Sequence, residues 1–271
     1  MPEPIIRIRD LVVEYGPRKV LDGVNLDIYK GESIAILGRS GCGKSTLLRH
    51  IIGLAKPVGG QIILKGHDIT TMSEDEKVEI LRRIGMLFQS SALFNSMSIG
   101  DNVALPIREH TNLEESTIKI MTNIKLEIVG LSGFDTFKPS QLSGGMKKRA
   151  GLARAIALDP EILFCDEPSA GLDPVVGAGI DQLILKLKDT FKMTIVAVTH
   201  ELASVKIIAD RIAMMHDGKI LAVGTQKELE KNTNPVIQQF FKRQPDAEEI
   251  DRERYLSTLT GEAWQVESKQ L

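Results

Sequence analysis

Cysteine is nearly absent from this 271-residue chain, which has only Cys42, inside a glycine-rich loop, and Cys165, inside an apolar run. Two such residues build neither a disulfide framework nor a multi-cysteine metal site. They read as small buried side chains in a reducing, cytoplasmic compartment. Charge of one sign is also not in excess: 34 Lys and Arg stand against 36 Asp and Glu, for a net charge of -2. That balance removes any whole-chain electrostatic reason to expect a nucleic-acid partner. No apolar run approaches the roughly 20 residues that span a bilayer. The start, Met1 to Arg7, lacks the basic-then-apolar order of a secretory signal. The expectation is a soluble chain whose membrane role, if it has one, comes through partners. Aromatics are few at 4%, and the 42% apolar and 26% charged fractions are those of an ordinary globular protein. The length suits one large domain or a domain with a subdomain.

What is present is organised around Gly38-Arg39-Ser40-Gly41-Cys42-Gly43-Lys44-Ser45-Thr46. The β-branched run Ser33 to Leu37 precedes it and a stretch with helical apolar spacing, Leu47 to Ile52, follows. Strand, glycine loop and helix in that order make the setting that G-x-x-x-x-G-K-[ST] requires to cradle a polyphosphate. Glycines let several N–H groups point into one concavity at the positive end of the helix. Lys44 would then reach the β- and γ-phosphates, and the Ser45 hydroxyl a bound Mg²⁺.

Ahead of this loop, residues 6–8, 11–15, 20–21 and 24–28 alternate as four short strands and predict an antiparallel sheet. Tyr15 ends one of them, either as a half-buried strand residue or as a ring that stacks on a base. After the loop helix, residues 75–83 predict a polar helix, and Ile84 to Gln89 an apolar strand with an amide tip. Gln89 is either a cap or surface residue, or a contact for Mg²⁺ and the attacking water. Helical texture then interrupts the strand–helix alternation, with a helix predicted over 114–129. The stretch from about 90 to 157 reads as an inserted helical subdomain whose surface either docks another subunit or closes its own core.

Within it, Leu142-Ser143-Gly144-Gly145-Met146 opens a helix with Ser143 as N-cap, and its double glycine exposes the first N–H groups to a second anion. The following Lys147-Lys148-Arg149 reads as a solvated face. Glu161 to Pro168 is a buried parallel strand ending in Asp166-Glu167. Two acids at the edge where ligands of open α/β sheets gather suit a water-mediated Mg²⁺ ligand, Asp166, and a general base, Glu167. Ser169 to Pro174 forms a tight loop before a helix over 176–188, and residues 194–201 repeat the pattern of buried strand and polar tip, ending on His200. That histidine is either structural or a γ-phosphate contact. Beyond Pro235 the composition turns acidic, with Tyr255, Leu256, Leu259 and Trp264 in a tail that is either disordered or docked on a partner.

Together these motifs resemble the ABC transporter ATPases over residues 5–240, in register and once only. The resemblance implies an α/β P-loop NTPase of ABC type: a RecA-like mixed-sheet core, an N-terminal antiparallel β subdomain and an inserted helical subdomain, within an ATPase domain at 1–240. It implies an ATP-hydrolysing homodimer that sandwiches ATP between the glycine loop of one copy and the signature of the other. Carried over residue by residue, Tyr15 stacks on adenine, Gly41, Gly43 and Lys44 bind phosphate, and Ser45 and Gln89 bind Mg²⁺. Asp166 holds the metal through water, Glu167 is the base, His200 meets the γ-phosphate, Ser143, Gly144 and Gly145 act in trans, and Asp173 couples the two sites.

Residues 86–111 and the signature ending in Met146 are similar, more narrowly, to the MlaF-type ATPases of MCE-associated lipid transporters. This implies an MlaE-like permease dimer, a periplasmic MCE-domain protein, a small STAS-domain regulator as a further candidate, and a place on the cytoplasmic face of an inner membrane. Residues 241–271 are then expected to clasp the neighbouring ATPase. The alternatives are the ATPase of an amino-acid or metal transporter and a soluble ABC protein acting on DNA, ribosomes or iron–sulfur assembly.

Overall fold

The computed structural model describes residues 3–244. Strands β1 (Pro4–Tyr15) and β2 (Arg18–Tyr29) form one long antiparallel hairpin, paired from Tyr15 opposite Arg18 to Pro4 opposite Tyr29. The four short strands predicted for this region are therefore two. The polar interruptions are bulges, with register shifts between Ile8 and Leu11 and Asp10 at φ 46. A bulge bends a strand without ending it. Past β3 (Ser33–Gly38) and helix α1 (Lys44–Ile51), strands β4 (Gly59–Leu64) and β5 (His67–Asp68) return to this sheet, giving the order β2-β1-β4-β5. The antiparallel sheet is thus built from both sides of the glycine loop, not only from the residues ahead of it.

Helix α2 (Glu74–Leu81) is fixed by a complete capping box between Ser73 and Glu76 and leads to β6 (Ile84–Leu87). The insert follows as α3 (Ile99–His110), α4 (Glu115–Ile128) and α5 (Gly144–Ala155). Then come β7 (Ile162–Asp166), α6 (Pro174–Phe191), β8 (Thr194–Thr199), α7 (Leu202–Ile208), β9 (Arg211–His216), β10 (Lys219–Gly224) and α8 (Gln226–Glu230). The second sheet has the order β10-β9-β3-β8-β7-β6, parallel except for the β9–β10 hairpin.

Every residue of β3 and β8 is buried, as the continuous apolar runs predict for strands covered on both faces. Successive side chains of this sheet point to opposite cores. Phe164 and Val196 pack with Ile6, Leu11 and Ile28 of the antiparallel sheet. Leu163 and Ile195 pack with Leu152, Ile184 and Val103 of the helices. The parallel sheet is therefore a middle layer whose ends stay open, and each fully buried Leu or Ile there stabilises it by about 1.5–3 kcal/mol.

Among the described residues, no helix is long and apolar enough to cross a membrane. The chain divides into two compact units, Met1–Asn232 and Thr233–Leu271. The described part of the second holds α9 (Pro235–Phe241), capped by Asn234 accepting from the Val236 N–H at 2.9 Å. The tail aromatics from Tyr255 to Trp264, and most of the extension expected at 241–271, lie outside the described residues.

Candidate nucleotide site

The strand register decides which polar tips meet. Leu37 lies opposite Thr199, Asp166 opposite Val198 and Leu87 opposite Cys165, so β3, β8, β7 and β6 end together at one edge. The glycine loop, His200, the Asp166-Glu167 pair and Gln89 follow those four ends, where ligands of open parallel sheets bind. An open cleft of about 400 Å³ brings together Tyr15, Ser40, Gly41, Gly43, Lys44, Ser45, Thr46, Gln89, Glu167 and His200. Arg18 and Val20 also line it and carry no motif that would single them out in the sequence. Tyr15, the last residue of β1, is 53% exposed, so its ring is accessible for stacking.

Gly43 is the N-cap of α1 at φ 104, a conformation that side chains rarely tolerate, and it makes no side-chain cap bond. The first N–H groups of the helix are thereby left for an anion. The Lys44 ammonium is buried and donates to the carbonyls of Gly38 and Arg39, both at 2.9 Å, closing the loop on itself. Cys42 is buried beneath it. Its N–H donates to the Arg39 carbonyl and its own carbonyl accepts from the Gly218 N–H at 3.1 Å, tying the loop to the β9–β10 turn. Burial pushes the Cys42 thiol up, which keeps it an inert packing group.

The Ser45 hydroxyl donates to Asp166 Oδ1 at 3.2 Å. Burial raises the Asp166 carboxyl above the usual carboxylate range, against the pull of that hydroxyl. Glu167 follows at φ 48, with its N–H donating to the Val198 carbonyl at 2.8 Å. Its side chain is buried; Oε1 lies 2.8 Å from His200 Nδ1, and Oε2 has no partner among the described residues. Since a carboxylate only accepts, Nδ1 carries the proton in this pair. The histidine therefore touches the expected base itself, a contact neither of its two sequence readings contained.

Ser143, Gly144, Gly145 and Asp173 do not line this cleft. Ser143 caps α5 by accepting from the Met146 N–H at 3.3 Å, and Asp173 caps α6 by accepting from Val175 and Val176 at 3.1 and 3.0 Å. A Cβ on Gly145 would meet Val176 Cγ1 at 2.5 Å, so this glycine also permits close packing of α5 on α6.

The basic run is not a solvated face. Lys148 is 5% exposed and its Nζ donates to the Glu167 carbonyl at 2.8 Å, while Arg149 donates to the Val129 carbonyl at 2.8 Å. The spacing Gly145, Lys148, Leu152 is that of the buried face of α5. Helical periodicity alone would have turned one of three consecutive cations inward.

The ABC transporter family model matches residues 21–170. The chain is 44% identical over 246 residues to the intermembrane phospholipid transport system ATP-binding protein MlaF of Haemophilus influenzae, covering 91% of this chain and 93% of that one. It is 42% identical to MlaF of Escherichia coli over 88% of each chain. It is 40% identical to a probable ribonucleotide transport ATP-binding protein of Mycobacterium leprae, over 97% of this chain and 76% of the relative. Among solved structures, a dimeric bacterial ABC transporter cassette superposes with a TM-score of 0.76 at 32% identity, covering 81% of this chain and 98% of that one. A dimeric post-hydrolysis cassette bound to ADP and phosphate gives 0.75 at 31%, with the same coverage.

Proposed function

The chain belongs to the ABC transporter family of ATPases, and on that premise we propose that it powers movement of phospholipid, or a similar hydrophobic molecule, between the two membranes of a Gram-negative envelope. The likeness to the two MlaF proteins supports the cargo. We place the chain on the cytoplasmic face of the inner membrane, bound to a permease dimer and, through it, to a periplasmic MCE-domain protein.

The cleft residues divide the work of hydrolysis as follows. Tyr15 stacks on the adenine, and the N–H groups at the start of α1 receive the phosphates. Lys44, with one ammonium N–H beyond the two given to Gly38 and Arg39, reaches the β- and γ-phosphate oxygens. The hydroxyl, carboxylate and amide of Ser45, Asp166 and Gln89 are hard oxygen donors that fit Mg²⁺, and among the described residues the half-buried Asp166 has only a neutral hydroxyl bonded to it. Mg²⁺ bound there supplies neutralisation of phosphate charge. Glu167 takes a proton from the attacking water as its oxygen bonds the γ-phosphorus and the bond to the β–γ bridging oxygen breaks. His200 orients the Glu167 carboxylate through Oε1.

One observation carries the reading as a homodimer: the signature residues Ser143, Gly144 and Gly145 stand outside the cleft of their own chain. A second copy can bring its α5 N-terminus to that cleft, closing on ATP and reopening after hydrolysis. Asp173 lies between the two sites in such an assembly. Permease docking is supported by an apolar groove of about 530 Å³ where Val78, Leu81, Met86, Phe88, Phe94 and Pro106 converge from α2, β6 and the insert. Phe94 is 51% and Val78 45% exposed there.

Recovery of the tagged chain from its own membranes, followed by reconstitution with the recovered partners in vesicles, tests the proposal. Co-recovery of a permease and an MCE-domain protein, with ATP-dependent phospholipid transfer, supports it. Hydrolysis stimulated by a ribonucleotide and not by phospholipid would place the chain functionally with the mycobacterial relative. The same recovery shows whether a STAS-domain regulator travels with the complex.

A further inference from the structure

Lys148 is a buried cation bonded to a neutral acceptor. Its Nζ donates to the Glu167 carbonyl at 2.8 Å, and among the described residues no carboxylate lies within ion-pair distance of it. Burial pushes the Lys148 amine down, and the nearby Cys165, Asp166, Glu167 and Glu201 counter this only in part. A methionine would fill the same space without the cost of dehydrating a charge. The position of the ammonium has a specific consequence for the site. Glu167 stands at φ 48, in the left-handed region, and its backbone is fixed from one side by the Val198 carbonyl and from the other by Lys148. Its side chain is held separately by His200.

Lys148 also sits one turn into the helix that Ser143, Gly144 and Gly145 begin. In the two-chain enclosure proposed above, that helix end faces the nucleotide held by the partner, whereas Glu167 serves the nucleotide of its own chain. The geometry points to Lys148 as a positioning residue that fixes the Glu167 backbone and couples it mechanically to the signature helix. When the partner's nucleotide draws the helix in, the ammonium brings the Glu167 carbonyl with it, which adds a direct link between the two sites. This inference rests on Glu167 being the general base.

Steady-state ATP turnover of the full chain, measured against ATP concentration for wild type, Lys148→Met, Lys148→Arg and Glu167→Gln, together with each melting midpoint, tests it. Lys148→Met keeps the stem and loses the donor. It is expected to lower kcat about tenfold or more, as small misplacements of a catalytic group do, with KM for ATP within about twofold of wild type. Lys148→Arg, which keeps an N–H donor, is expected to recover part of the rate. A Lys148→Met chain with wild-type kcat overturns the inference. So does a Lys148→Arg chain that loses rate, affinity and melting midpoint together, since that pattern marks a packing role alone. Wild-type turnover by Glu167→Gln would overturn the assignment of the base itself, a failure that the Lys148 variants do not produce.

Discussion

His200 Nδ1 lies 2.8 Å from Glu167 Oε1, and the other carboxylate oxygen of Glu167 is buried with no partner among the described residues. In the proposed mechanism the first oxygen serves orientation and the second takes the proton. Glu167→Gln is expected to lower the rate of phosphate release by about 10² to 10⁴, the usual contribution of a general base. Nucleotide affinity should be retained. His200→Ala should lower the same rate less, since it loosens the base without removing it.

Lys44 closes the glycine loop through the carbonyls of Gly38 and Arg39, which leaves the third N–H of its ammonium for a phosphate in the proposed mechanism. Lys44→Ala should weaken nucleotide binding by about 2 kcal/mol, roughly thirtyfold, the order of a charge-assisted hydrogen bond. Titration with a fluorescent ATP analogue measures this. Unchanged affinity would mean that the ammonium does not meet the phosphate when nucleotide binds.

A methyl group on Gly145 would stand 2.5 Å from Val176 Cγ1, so the Val176 side chain must shift to admit it. Gly145→Ala should therefore destabilise the fold by about 1–3 kcal/mol through overpacking. Adding Val176→Ala removes the obstructing atom and should recover most of that loss in a double-mutant cycle read by denaturant unfolding.

Asp181, on α6, is 2% exposed, and burial pushes its carboxyl up from 3.8 to about 6, with the Ser204 and Ser169 hydroxyls pulling the other way. Between those values the folded chain holds a proton that the unfolded chain has released, so stability falls as pH rises from about 4 through 6. Asp181→Asn should raise the melting midpoint by several degrees at pH 7.5, from a gain of up to about 3 kcal/mol. The gain should shrink as pH is lowered through 6 toward 4. A gain independent of pH would place its origin elsewhere.

The gathering of Lys44, Gln89, Glu167 and His200 in one cleft was legible because its parts obey strong local rules. A glycine loop between a buried strand and a helix, and polar tips on continuous apolar runs such as Leu163 to Asp166, leave few alternatives. The long β1–β2 hairpin was not legible, because the bulge at Asp10 mimics a strand end in any reading by alternation. Lys148 was obscured by the two cations beside it, although its spacing from Gly145 and Leu152 carries the signal of a buried face. Gly145 shows a further limit: close approach of Val176 is a long-range fact, and one residue served both packing and the expected anion site. The Glu167–His200 contact depends on the lateral order of β7 and β8, which no local pattern encodes.

The central claim, that each ATP is enclosed by two chains, is tested most directly by mixing two inactive variants. In Lys44→Ala the glycine loop fails, and in Ser143→Arg the signature fails. A heterodimer of the two joins an intact loop to an intact signature at one of its sites. With random pairing, ATP hydrolysis should return to about a quarter of the wild-type rate, one working site in half of the dimers. A mixture no more active than its separate components, or a Ser143→Arg chain that hydrolyses ATP at the wild-type rate alone, would contradict the claim.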